Sequence, residues 1–199
     1  MKKPLPYSIL LAVAALLLGA TGDARADSPG AIAAQLGDDI RTGQIAVDGT
    51  NVEFGTAVGV VDEPYDQVLA VLQDYGSYQQ FLPHFRTSRV LARRGGDAMI
   101  YLEVGVMRDT VTLWGQLRMT QRTVEGQGTV IEGRLTRGNM DEFRARWELT
   151  PLDGGARTLV TFHILVEPDL PVPSSVLTDE NVKAARRAVR ALRDRVREV

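Results

Sequence analysis

Apolar residues along this chain change their spacing several times, and each change marks an element. Between residues 28 and 43, Ile32, Leu36 and Ile40 recur every fourth position, which predicts a short helix lying on the domain. Residues 45–47 and 52–61 then flank Asp48-Gly49, a dipeptide suited to a tight hairpin because glycine takes positive φ at low cost. Val52, Phe54, Val58 and Val60 share one parity, which gives the second strand an apolar face. Asp62-Glu63-Pro64 predicts a helix start, with aspartate capping free amides and proline in the first turn, where its missing donor is not needed. Val68, Leu69, Val71 and Leu72 form that helix's buried side; it ends near Asp74, and residues 75–82 predict a second short helix closed by Pro83.

The period then becomes two. Between residues 87 and 167, six β-rich runs are separated by five turn signals: Gly95-Gly96-Asp97, Met107-Arg108-Asp109, residues 125–128, Gly138-Asn139 and Asp153-Gly154-Gly155. Connections this short make neighbouring strands antiparallel. Val111, Leu113, Leu117 and Met119 oppose Thr110, Thr112, Gln116, Arg118 and Thr120; Phe143, Ala145, Trp147 and Leu149 oppose Arg144, Arg146 and Glu148. Each such strand has one buried and one wet face. After Pro168, Pro171 and Pro173, a last helix is predicted to start at Thr178-Asp179-Glu180. Its stripe of Val182, Ala185, Val189, Leu192, Val196 and Val199 runs for about 25 Å at ~1.5 Å per residue and must lie on the sheet. The class is α+β, with a curved antiparallel sheet of about seven strands around a long C-terminal helix.

The first 26 residues do not join this pattern. Lys2 and Lys3, an apolar run over residues 9–20 and the ending Ala24-Arg25-Ala26 are the three parts of a secretory signal, cleaved before Asp27. The run is short for the ~20 residues that span a bilayer. The protein is therefore expected outside the cytoplasmic membrane, periplasmic in a diderm bacterium and otherwise secreted. Residues 27–44 then form an N-terminal segment, and residues 45–199 one domain. The chain carries 23 basic and 25 acidic residues. Removal of Lys2, Lys3, Arg25 and Asp23 leaves 20 against 24, which argues against a general nucleic-acid binder. Residues 183–199 hold seven basic and two acidic side chains. This basic helix is a solvated face, with transient contact to anionic lipid headgroups as its functional alternative.

Two stretches carry a family resemblance. One is Asp62-Glu63-Pro64 through Val71-Leu72-Gln73-Asp74-Tyr75, with Tyr78, Phe81-Leu82-Pro83 and Val90-Leu91. The other is Trp147-Glu148-Leu149-Thr150-Pro151, Gly154-Gly155, Arg157-Thr158-Leu159-Val160 and Glu167-Pro168-Asp169 with Pro171 and Pro173. Over residues 50–199 the chain resembles the SRPBCC superfamily, which includes START, polyketide cyclase and coenzyme Q-binding proteins. The resemblance implies a helix-grip (START-like) fold that binds lipids, quinones or other polycyclic apolar compounds, with a minority of members acting as cyclases.

No catalytic set stands out. There is no Cys, and His84 and His163 are far apart, so neither a thiol site nor a multi-histidine zinc site can be assembled, and no cofactor is expected. His84, after Pro83, reads as a loop residue; His163, opposite in parity to Phe162 and Ile164, points outward. Asp74 reads as the cap of the following helix. Gly95, Gly96, Gly126, Gly128, Gly154 and Gly155 sit in hairpin turns, none between a strand and a helix, so no phosphate-cradling loop is expected.

The apolar constellation is more informative. Leu113, Leu117, Met119, Phe143, Trp147, Phe162, Ile164, Val189 and Leu192 are expected to converge on one interior, either as solid core or as the lining of a pocket of ~300–1,000 Å³. Tyr78, Phe81, Leu82 and Phe85 would form its rim. Tyr101 and Glu103 are the polar side chains to consider as ligand contacts, although the parity of Glu103 leaves its face open. Three readings follow. The first is a carrier or sensor for a small apolar ligand. The second is a cyclase or aromatase using polar groups such as Tyr78, Tyr101 and Glu103 in the same pocket. The third is a protein-interaction module with a filled core, working through Arg186, Arg190 and Arg193 or the rim. Neither the ligand nor the oligomeric state can be read from the sequence.

Overall fold

The computed structural model describes residues 28–107 and 110–199. The predicted export signal and part of the Met107-Arg108-Asp109 turn lie outside the described residues. In chain order the elements are α1 (Pro29–Leu36), β1 (Arg41–Ile45), β2 (Phe54–Val61), α2 (Tyr65–Gln73), a 3-10 turn (Tyr75–Ser77) and α3 (Tyr78–Phe81). Six strands follow: β3 (Phe85–Arg94), β4 (Asp97–Val106), β5 (Val111–Val124), β6 (Gly128–Gly138), β7 (Met140–Leu152) and β8 (Arg157–Pro168); α4 (Ser174–Arg197) closes the domain. All the strands form one antiparallel sheet in the order β1-β2-β8-β7-β6-β5-β4-β3. Bulges at Phe85/Thr87, Val90/Ala92, Gln116/Leu117 and Met140/Glu142 add local twist and help the sheet curl around α4.

The sheet has eight strands, in line with the seven or so expected. The first, β1, lies upstream of the run expected at 45–47 and, as an edge strand with one partner, has no alternating apolar pattern; it pairs Ile45 with Phe54. That register leaves residues 46–53 as a long connection, so Asp48-Gly49 is not the tight hairpin expected from the dipeptide. The apolar parity read in β2 belongs to the outer side. Val58 and Val60 pack with Ile32, Leu36, Leu152 and Leu159 beneath α1, while Ala57 and Val61 face the main core. Both faces of β2 are buried, because α1 covers one and α4 the other. Ser28 starts α1, its hydroxyl accepting the Ala31 amide at 3.2 Å.

Two predicted caps are replaced. Asp62 makes no cap to α2, which starts after Pro64; its carboxylate lies 3.7 Å from Arg157. Asp74 accepts the Ser77 hydroxyl instead of capping through a backbone amide. The last helix begins four residues early, at Ser174, because Pro173 ends the extended connection and leaves the chain free to turn. Thr178 therefore lies inside α4, buried, and its hydroxyl accepts the Glu53 amide at 3.0 Å. In the stripe, Asn181 is buried in place of Val182, and Val199 is 66% exposed beyond the helix end.

Glycine sets how closely α4 rests on the sheet. A Cβ on Gly55 would lie 2.0 Å from the carbonyl carbon of Asn181, and one on Gly59 would crowd Ile40, Val189 and Arg193. Ala185, Val189, Leu192 and Val196 consequently pack directly with Ala57, Val61 and Val160 in a solid core.

Candidate functional site: an apolar cavity beneath the last helix

Away from β2 the sheet curves off from α4, and the space between them is a cavity of about 540 Å³. Strand periodicity supplies most of the wall, since every second residue points inward. Ile100, Leu102, Val104 and Val106 come from β4; Leu113, Gly115, Leu117 and Met119 from β5; Phe143, Ala145 and Trp147 from β7; Phe162, Ile164 and Val166 from β8. Trp147 and Phe162 are cross-strand partners and stack at 3.9 Å between centroids. The roof is a second stripe of α4, Leu177, Asn181, Ala184 and Ala188, spaced by three and four residues. Leu170 and Val172 of the proline-rich connection close one end, and Tyr78, Leu82 and Phe85 another. The wall residues Pro83, His84, Met107, Val176, Glu180 and Arg187 are exposed to solvent and mark the mouth.

The expected lining residues divide between two faces of the helix. Leu113, Leu117, Met119, Phe143, Trp147, Phe162 and Ile164 line the cavity; Val189 and Leu192 do not, because they belong to the other stripe of α4, which faces β2 and the packed core, with Val189 against Gly59. Of the expected rim, Tyr78, Leu82 and Phe85 line the cavity, whereas Phe81 packs edge-on against Tyr78 behind it. The β4 residues were missed although their signal is plain: Ile100, Leu102, Val104 and Val106 alternate with Met99, Tyr101, Glu103 and Gly105. That alternation also fixes Tyr101 and Glu103 on the opposite, outer face. There Glu103 accepts the Thr87 hydroxyl at 2.6 Å and the Tyr101 hydroxyl at 2.7 Å, which hold its carboxyl below the ordinary value. Neither residue faces the cavity. Leu170 and Val172 carried no periodic signal, and Ala184 and Ala188 were too small to stand out.

The polar groups of the interior are already engaged. The Tyr78 hydroxyl donates to the Leu72 carbonyl at 2.6 Å, and burial holds its pKa far above the ordinary phenol value. Asn181 accepts the Val166 amide at 3.2 Å and donates to the Glu53 carbonyl at 3.3 Å, tying α4 to the ends of β2 and β8. His84 is an exposed loop residue, as expected, but it also stands at the mouth. His163 points to the outer face, yet it is buried rather than wet. Its Nδ1 lies 2.9 Å from the Thr56 hydroxyl and its Nε2 3.4 Å from Glu148, which Arg146 also holds at 2.7 Å. Among the described residues no group of three acidic or histidine side chains is arranged to hold a metal ion. No helix among the described residues is long and apolar enough to cross a membrane.

A curved antiparallel sheet wrapped on a long C-terminal helix, with an apolar space between them, defines the helix-grip class. Within that class, the chain belongs to the family described as polyketide cyclase / dehydrase and lipid transport, whose profile matches residues 61–193. A STAR-related lipid transfer protein from Xanthomonas axonopodis has a similar structure, at 18% identity and TM-score 0.70, covering 86% of this chain and 96% of that one. A START superfamily protein from Mycobacterium smegmatis is 21% identical, with TM-score 0.63 and coverage of 73% and 97%. The Zhui aromatase/cyclase of a Streptomyces species is 19% identical, with TM-score 0.53 and coverage of 72% and 93%. At these identities the likeness concerns the fold. No curated protein matches the sequence.

Proposed function

We propose that this protein is an exported carrier or sensor that holds one small apolar molecule, such as a lipid, quinone or polycyclic metabolite, in the cavity beneath α4. The carrying observation is the cavity: about 540 Å³, walled mainly by aliphatic, aromatic and methionine side chains, with solvent-exposed residues on part of its wall. That volume is ordinary for a small-ligand site. Binding would draw on apolar burial at ~25 cal/mol per Å², less the cost of association. The family's description and the lipid-transfer neighbour support the same reading. An open cavity also speaks against an interaction module with a filled core. The cyclase alternative has less support, because Tyr101 and Glu103 lie outside the cavity and the Tyr78 hydroxyl is committed to Leu72.

Location outside the cytoplasmic membrane rests on the N-terminal signal read from residues 1–26. Transient contact with an anionic membrane rests on the basic side chains of α4 and on Met107 and Val176, which are 53% and 47% exposed at the mouth. Titration with the neutral dye N-phenylnaphthylamine, and native mass spectrometry of protein taken from its own cell envelope, test the reading. Saturable dye binding and a co-purified apolar molecule are expected. A protein that neither binds the dye nor carries a molecule overturns it.

A further inference from the structure

The cavity's polarity is arranged lengthwise. Its interior wall is apolar, and its charged wall residues, Glu180 and Arg187, both stand at the mouth with the imidazole of His84. Their charges are unevenly satisfied. Lys183 Nζ reaches Glu180 Oε1 at 2.8 Å, so that carboxylate already has a close cation. Arg187 Nη2 is in a loose ion pair with Glu180 Oε2 at 3.8 Å, beyond hydrogen-bond distance, and among the described residues nothing accepts a hydrogen bond from its guanidinium. Five donors in a planar fork are therefore available where the apolar space meets water. Beside it, Lys183 is held by Glu180 and lies near Asp179, which leaves Arg187 as the wall cation with unfilled hydrogen bonds.

From this geometry we infer that the ligand is an amphiphile with one anionic head, carboxylate or phosphate, held by Arg187 at the mouth while its apolar body fills the cavity. The inference rests on the cavity's being a ligand site and adds which chemistry is chosen there. A guanidinium pairs both head groups through two parallel hydrogen bonds, which a hydroxyl cannot reproduce. An ammonium head would find the Glu180 carboxylate already taken by Lys183.

The test is displacement of N-phenylnaphthylamine from the full chain by four ligands of one chain length: tetradecanoate, tetradecyl phosphate, tetradecanol and tetradecylammonium. At least one anion is expected to bind about ten-fold tighter than the alcohol, with the ammonium weakest. R187Q is expected to bring the anions to within about two-fold of the alcohol while the alcohol's own affinity holds. R186Q removes a charge from the same helix without touching the cavity wall, and it should keep the preference. Equal binding of anion and alcohol by the native chain overturns the inference, as does a preference that R186Q erases as fully as R187Q does. A failure of the cavity itself looks different: the dye and all four ligands, the alcohol included, fail to bind.

Discussion

One helix meets one sheet in two ways. With one stripe, α4 lies on β2 and the packed core, its Ala185, Val189, Leu192 and Val196 fully buried. With a neighbouring stripe, the same helix roofs an empty space through Leu177, Ala184 and Ala188. Apolar content does not separate the two regions. What separates them is approach distance: Gly55 and Gly59 let the backbone of α4 reach β2, and the curl of β4 to β7 carries their side chains out of its reach. Well-packed interiors leave few voids larger than a water, so a cavity of this size marks a place where the fold holds two surfaces apart.

The comparison breaks most completely at Gly55. A Cβ there would stand 2.0 Å from the α4 backbone, which cannot yield as a flexible side chain can, so Gly55→Val is expected to cost about 3 kcal/mol or more, or to prevent folding. Chemical denaturation reads this directly, and an unchanged midpoint would show that α4 does not rest on β2. A matched pair comes next. Leu192→Ala, in the packed stripe, should cost about 2–5 kcal/mol, whereas Leu113→Ala, on the cavity wall, should cost about half as much, because part of Leu113 already faces space. Equal losses would mean that the cavity is filled in solution. Ala145→Phe, directed into the cavity, should change stability by about 1 kcal/mol or less and weaken dye binding by about ten-fold. Undiminished binding would place the dye elsewhere.

The smallest effect concerns the outer face, where the sheet buries charge instead of apolar surface. Burial alone would raise the Glu148 carboxyl, but the hydrogen bond and charge of His163, together with Arg146, outweigh it and hold the pKa below the ordinary 4.5. A carboxyl depressed in the folded state contributes stability that is complete above that value and lost as pH falls below it. Glu148→Gln should therefore lower Tm at neutral pH and make the acid-side decline shallower. Parallel Tm–pH curves for the two proteins would remove Glu148 from the account.

Much of this was legible in the residues. Alternation in β5, β7 and β8 named seven wall residues, since a period of two leaves little choice once one face is buried. Local chemistry was a weaker guide. Asp48-Gly49 read as a tight turn and Asp62 as a cap, and each yielded to a longer-range pairing, the register of β1 on β2 and the reach of Arg157. Val189 and Leu192 show the harder limit. They share the spacing of the residues on the cavity roof, and only the rotation of α4 on the sheet, which turns their stripe toward β2 and the roof stripe toward the hollow side, makes them solid core.

The sequence by itself determined the α+β class, the antiparallel run of strands and the inward face of most of them, because burial of apolar area follows spacing along the chain. It also contained the alternation that puts Glu103 outside. Only the tertiary structure decided where the interior is solid and where it is hollow, that His163 is buried on the outer face, and that Arg187 stands at the mouth. Those outcomes depend on distances between elements far apart in the chain, and such distances are set by backbone approach and sheet curvature, which residue spacing does not encode.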